Sequence, residues 1–234
     1  MTPPWCPTSR PRSRRRGQTA IPRPNRRLQA NERARGSRGL SARDTTAVVM
    51  PIKSFQTAKA RLAETLSLDA RAALARRCAE TVLRAARPLP VFVVCDDPDV
   101  AAWAAAHGAS VVAAERPGLN EAAAAGREAV RQAGFAWVLT VHSDLPNAGS
   151  LGSLADEASA AVIVPDRHHD GTNALLLPTA GPFTYRYGPA SFAAHRKEAA
   201  DRGLAIRVVE RPDLALDLDT LDDLREAGID VRGN

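Results

Sequence analysis

From residue 47 onward, short apolar runs alternate with longer amphipathic stretches. The runs AVVMPI (47–52), VFVVC (91–95), SVVAA (110–114) and AWVLTV (136–141) read as strands. So do AAVIVP (160–165), NALLLP (173–178), AIRVVE (205–210) and LALDLD (214–219). Between them, residues 68–86 repeat apolar positions at helical spacing, with Leu74, Cys78, Val82 and Ala85 on one face. Residues 98–108 form a second helix, with Pro98 early and Gly108 as its stop. Three more are predicted over 120–134, 191–203 and 220–228. Strands and helices alternate, and the central strands are almost wholly apolar. This predicts an α/β fold: a mostly parallel sheet with helices on both faces. In such sheets ligands sit at the carboxyl ends of the strands, so the loops there should hold the chemistry.

Charge divides the chain. The net charge is +6, yet residues 1–44 alone carry 12 Arg against Glu32 and Asp44. The remainder is mildly acidic. Residues 1–45 are rich in Arg, Pro and Ser, with almost no apolar periodicity, and are expected to be a disordered basic tail. Residues 46–230 are expected to form one domain. The tail has no apolar core of a secretory signal, and its repeated prolines oppose an amphipathic helix. No apolar run reaches the roughly 20 residues of a membrane span. The cysteines Cys6, Cys78 and Cys95 are scattered without CxxC spacing, which argues for a reducing, cytoplasmic setting and against a zinc site.

The loops after the strands carry the candidate chemistry. PIKSFQTAKARLAE (51–64) places Lys53, Lys59 and Arg61 after a strand, which suits a polyphosphate, although no GxxxxGK[ST] loop is present. Asp144 ends the strand 136–141, where it is either a metal ligand or a turn residue. His142 beside it reads as structural, and His168 and His169 as a solvated turn. Gly171 frees the backbone at Thr172, whose amide can then face an anion. Gly188 and Ser191 precede or open a helix, whose N-terminus favours a carboxylate or phosphate. In LALDLD, Asp217 and Asp219 point the same way from an extended chain. Like charges that close repel unless a cation joins them. Asp219 or Thr220 can cap the last helix, with Asp223 as the acidic member of a capping box. Capping leaves Asp217 unexplained, and a divalent cation explains it.

Taken together, PIKSFQTAKARLA, GLN (118–120), SDLP, DGTNALLL, YGPASFAAH and LALDLDTLDDL resemble the guanylyltransferases of coenzyme F-420 biosynthesis. These act on 2-phospho-L-lactate or phosphoenolpyruvate. The resemblance spans about residues 47–226. It implies a Rossmann-like nucleotidyltransferase sheet (GT-A-like) and transfer of GMP from GTP to a phosphorylated three-carbon acid, with release of pyrophosphate. It further implies two Mg²⁺ ions on Asp144, Asp217 and Asp219, and the acid's carboxylate at Thr172, Gly188 and Ser191. Lys53, Lys59 and Arg61 would serve catalysis near the GTP phosphates, and Gly118 and Asn120 would lie near the nucleoside. Two positions depart from the pattern. His142–Ser143 replaces a small apolar pair, and Ala190 stands where glycine is common. The acceptor's phosphate is already ionised at neutral pH, so no general base is required.

Two rival readings make different predictions. A metal-dependent glycosyltransferase also uses a D-x-D pair, but usually after a mid-chain strand, and releases no pyrophosphate from GTP. A nucleic-acid-binding module acting through the Arg-rich tail would bind with steep salt dependence.

Overall fold

The computed structural model describes residues 41–156 and 158–229. The expected tail lies outside these, apart from 41–45. The chain divides into Met1–Gly39 and Leu40–Asn234, and the fold below is that of the second unit.

Seven strands form one sheet: β1 (Thr46–Pro51), β2 (Val91–Cys95), β3 (Ser110–Ala113), β4 (Trp137–Val141), β5 (Ala161–Pro165), β6 (Thr172–Pro178) and β7 (Ile206–Val208). Their order is β3-β2-β1-β4-β6-β5-β7. All neighbours pair in parallel except around β6, which runs antiparallel to both β4 and β5. The helices are α1 (Leu68–Ala85), α2 (Pro98–Ala106), α3 (Leu119–Gln132), α4 (Gly152–Asp156), α5 (Ser191–Asp201) and α6 (Leu221–Glu226).

The period of two along each strand divides the core into two layers. Val48, Met50, Leu139, Val141, Val162, Val164 and Leu176 face α1, α2 and α4. Their alternating neighbours Ala47, Val49, Val138, Ile163, Leu175 and Leu177 face α3 and α5. The central strands β1, β2, β4, β5 and β6 are apolar at most positions because both faces are covered.

The antiparallel strand decides where the loops meet. Val141 of β4 pairs with Ala174, and Pro165 of β5 with Thr172. The start of β6 therefore lies on the same sheet edge as the carboxyl ends of β4 and β5.

Two predicted strands change. Residues 205–210 shorten to the edge strand β7. Residues 214–219 join no ladder: Leu214 closes a turn onto the Arg211 carbonyl (2.9 Å), Ala215 lies in a bend, and Leu214, Leu216 and Leu218 are buried. They run across the carboxyl edge of the sheet instead. There the Leu218 amide donates to the Asp144 carbonyl (3.2 Å) and the Arg167 amide to the Ala215 carbonyl (2.9 Å). The apolar alternation that suggested a strand is produced by burial against this edge. Short α4 carries no periodicity long enough to predict it.

Gly126 sets the distance between α3 and the sheet. A Cβ there would lie 2.4 Å from Val49 Cγ1 and 2.9 Å from Val94 Cγ2. Both valines are fully packed on rigid strands, so they cannot yield. Gly126→Ala is expected to destabilise the fold by about 1–2 kcal/mol, since overpacking outweighs the helix propensity gained. Urea denaturation checks this; a more stable variant would show that the helix can shift outward.

Candidate active site

The first loop leaves β1 and is nailed down by two apolar anchors. Phe55 is buried edge-to-face against Trp103 of α2 at 5.1 Å, and the Arg76 guanidinium lies 4.5 Å from its ring centre. Leu62 enters a small cluster with Leu74, Cys78, Leu218 and Leu224. That cluster joins the loop, α1, the 214–219 segment and α6. Between the anchors, Lys59 adopts a left-handed backbone (φ 57°), a conformation costly for a non-glycine residue.

This turn sends the Lys59 side chain inward. Its ammonium donates to Asp144 Oδ2 at 2.8 Å and lies 3.6 Å from Asp219 Oδ1. The side chain is only 5% exposed. Burial disfavours its charge, but Asp144 and then Asp219 outweigh burial and raise its pKa. Asp144 mirrors it: burial opposes ionisation, and the Lys59 charge, with a smaller contribution from His142, still holds its pKa below the ordinary value. Asp217 makes no ion pair of this kind among the described residues, although its charge reaches Arg167. Burial, and then repulsion from Asp144 and Asp219, raise its pKa. Arg61, largely exposed, donates to Asp219 Oδ2 at 3.2 Å. Lys53 is exposed and lines the same cleft as Lys59, Asp144 and Asp219.

Asp219 is free for this role because it does not cap α6. Thr220 is the cap, and Asp223 closes a capping box with it. Asn173, which the sequence pattern did not single out, holds the aspartate segment in place. Its side chain donates to the Leu214 carbonyl at 2.9 Å and the Ala215 carbonyl at 3.3 Å.

Among the described residues no group of three or more His, Cys, Asp or Glu side chains is gathered closely enough to hold a metal ion alone. The donors nevertheless suit a hard cation. Asp144 Oδ1 is buried without any hydrogen-bond partner. A cation, the Lys59 ammonium, already stands between Asp144 and Asp219. Mg²⁺ characteristically takes one or two carboxylates and completes its shell with substrate phosphates and water, so a closed protein cage is not required.

The second half of the site lies at the start of β6. Thr172 and Ser191 are buried together, with their hydroxyl oxygens 3.4 Å apart. Ser191 opens α5 but does not cap it; the cap is Ala190, in left-handed geometry (φ 55°). That explains a preference for glycine here, which adopts this backbone without strain. Gly188 (φ 132°) has open space where a Cβ would stand, so its backbone is accessible to a ligand.

His195, also missed in the sequence, organises this corner. The Arg186 amide donates to its Nε2 at 2.9 Å, which leaves Nδ1–H to donate to Thr172 Oγ1 at 3.0 Å. The ring is fully buried among Phe183, Tyr185 and Tyr187. Asn120, expected near the nucleoside, is engaged within the protein. Its amide clasps Tyr187, accepting from the backbone N–H (2.6 Å) and donating to the carbonyl (3.1 Å). Gly118 lies at the mouth of a separate apolar cleft with Lys53. His168 and His169 are exposed in a turn, as expected.

This arrangement is that of a nucleotidyltransferase. A solved structure titled a nucleotide-diphospho-sugar transferase, from Desulfovibrio desulfuricans, shares the fold (TM-score 0.62, 17% identity, 79% of this chain and 85% of that one). So does 4-diphosphocytidyl-2C-methyl-D-erythritol synthase of Anaerococcus prevotii (TM-score 0.50, 14% identity, 79% and 97%). Residues 46–234 match the family model described as "Guanylyl transferase CofC like", and the chain belongs to that family. It is 39% identical over 75% of its length to the phosphoenolpyruvate guanylyltransferase of Rubrobacter xylanophilus, covering 90% of that protein. It is 35% identical over 80% of its length to the 3-phospho-D-glycerate guanylyltransferase of Phenylobacterium zucineum, covering 84% of it.

His195 gives the site a pH signature. Burial, and then the nearby His142 and Arg186 charges, push its pKa down to about 4. The unfolded chain takes up a proton near pH 6.5, whereas the folded ring stays neutral until about 4. This contribution is therefore full above 6.5 and declines as pH falls toward 4, by about 3 kcal/mol at most. Urea denaturation at pH 7 and pH 5 should show the decline, and His195→Asn should reduce it. An unchanged pH dependence in the variant would assign the loss to other groups.

Proposed function

We propose that the chain transfers GMP from GTP to phosphoenolpyruvate, releasing pyrophosphate and forming a guanosine diphospho-linked acid. The observation that carries this is the carboxylate edge. Asp144 and Asp219 meet Lys59, and Asp217 lies near enough to be repelled by both carboxylates, beside a corner of Thr172, Gly188 and Ser191 that suits a small anion. The family membership and the relative from Rubrobacter xylanophilus support the reaction and the acceptor.

Two anions must approach each other, so charge cancellation is the main requirement. Asp144, Asp217 and Asp219 would hold Mg²⁺. Bound there, the metal would supply Lewis-acid polarisation of the α-phosphate and neutralise departing pyrophosphate. Lys59, buried between Asp144 and Asp219, is placed to donate to a phosphate oxygen. Lys53 and Arg61 line the open side, where they screen the β- and γ-phosphates. The Gly188 backbone and the α5 N-terminus bind the acceptor's carboxylate. The acceptor's phosphate is its own nucleophile, which fits a site whose buried histidine, His195, is held neutral and engaged on both nitrogens. Cys78 and Cys95 are free and buried, consistent with a reducing cytoplasm. Among the described residues no helix is long and apolar enough to cross a membrane.

The test is pyrophosphate release from GTP and Mg²⁺ with phosphoenolpyruvate, 2-phospho-L-lactate or 3-phospho-D-glycerate offered separately. Release is expected with phosphoenolpyruvate, and EDTA should abolish it. Asp217→Asn should lower the rate by about 100-fold or more, in the range for losing a main electrostatic contributor, while melting like the parent. Release with 3-phospho-D-glycerate alone would reassign the acceptor. No release with any acid would overturn the reaction and favour a glycosyltransferase.

A further inference from the structure

A nucleotide whose α-phosphate reaches Asp144 and Lys59 must place its base within about one ribose of that cleft. One neighbouring cleft satisfies this. It shares Pro51, Ile52 and Lys53 with the phosphate cleft and opens at the carboxyl ends of β1, β2 and β3. Ile52, Val94, Pro117 and Leu119 give it apolar walls suited to a flat ring. Two other clefts, around Arg127 and on the outer side of α3, share no residue with the phosphate cleft.

The polar side chains at the apolar cleft are Lys53, Arg116 and Asp96. The first two only donate hydrogen bonds. Asp96 is the carboxylate acceptor, is exposed, and makes no hydrogen bond or ion pair among the described residues. Its neighbour Asp97 is already engaged: its Oδ1 caps α2, accepting from the Asp99 amide at 2.8 Å and the Val100 amide at 3.3 Å. Two adjacent carboxylates thus have different roles, one holding the helix and one facing the cleft.

We infer that Asp96 is the residue that selects guanine. A carboxylate accepts two parallel hydrogen bonds, and guanine presents two adjacent donors, N1–H and the 2-amino group. Adenine presents a lone pair at N1, which a carboxylate repels. Xanthine keeps N1–H but has a carbonyl in place of the 2-amino group, so it too meets repulsion. An asparagine at this position reverses that pairing. Its oxygen accepts from N1–H and its amide donates to the xanthine carbonyl.

The inference rests on the GTP-dependent reading above, and binding separates the two. Isothermal titration with Mg²⁺ would measure GTP and xanthosine triphosphate on the parent, Asp96→Asn and Asp96→Ala. The parent is expected to favour GTP by about 10- to 100-fold, the range for hydrogen bonds to a charged group. Asp96→Asn should favour xanthosine triphosphate, and Asp96→Ala should lose GTP affinity without gaining the other. Asp96 is exposed, so all three proteins should melt alike. Parent preference for GTP that survives unchanged in Asp96→Asn would overturn the role of Asp96 and leave the GTP reaction standing. A parent that binds neither nucleotide would overturn both.

Discussion

Three aspartates on one half-buried edge are the constraint around which the rest of the structure is arranged. Negative charges cannot gather in a partly dry site without a cation. Here the Lys59 ammonium supplies it, bridging Asp144 and Asp219. Asp217 makes no close ion pair among the described residues, and its ionisation is disfavoured. The edge is thus charged in a way that favours additional positive charge. The strained backbone at Lys59 is tolerated because Phe55 and Leu62 pin the loop on either side of it.

The antiparallel strand β6 brings in the second half of the site. Its reversal brings Thr172 to the edge where β4 delivers Asp144. Asn173, the next residue, holds the aspartate segment through its carbonyls. Thus one dipeptide serves both halves of the site: Thr172 joins the acceptor corner and Asn173 orients the carboxylates. Asn120 and His195 then take the backbone of Tyr187 and Arg186 from opposite sides, fixing the loop that carries Gly188. Positioning of this kind matters because a displacement of a reacting group by about 1 Å costs orders of magnitude in rate.

The alternation of strands and helices was legible because burial on both sheet faces makes the central strands apolar at most positions. The capping box at Thr220 and Asp223 was legible because capping is local. LALDLD misled as to strand pairing: its alternation reports burial on one side, and any extended segment lying on a core shows the same period. Asp217 and Asp219 nonetheless both lie near Asp144, since Asp217 is repelled by Asp144 and Asp219, and Asp219 shares Lys59 with Asp144. Asn120 was assigned to the nucleoside from the resemblance, yet its amide is occupied by Tyr187, 67 positions away. His195 and Asn173 gave no local signal at all, since a histidine within a helix and an asparagine opening a strand are ordinary.

The sequence by itself determined the α/β class, the residue types at each strand end, and the capping box of the last helix. These follow from periodicity and steric rules acting within a few residues. Only the tertiary structure decided that Lys59 lies between Asp144 and Asp219, that Asp96 lines a cleft shared by the ends of β1, β2 and β3, and that β6 runs backward. Those outcomes depend on contacts between residues far apart in the chain, whose energies become available only when the two core layers close around the sheet.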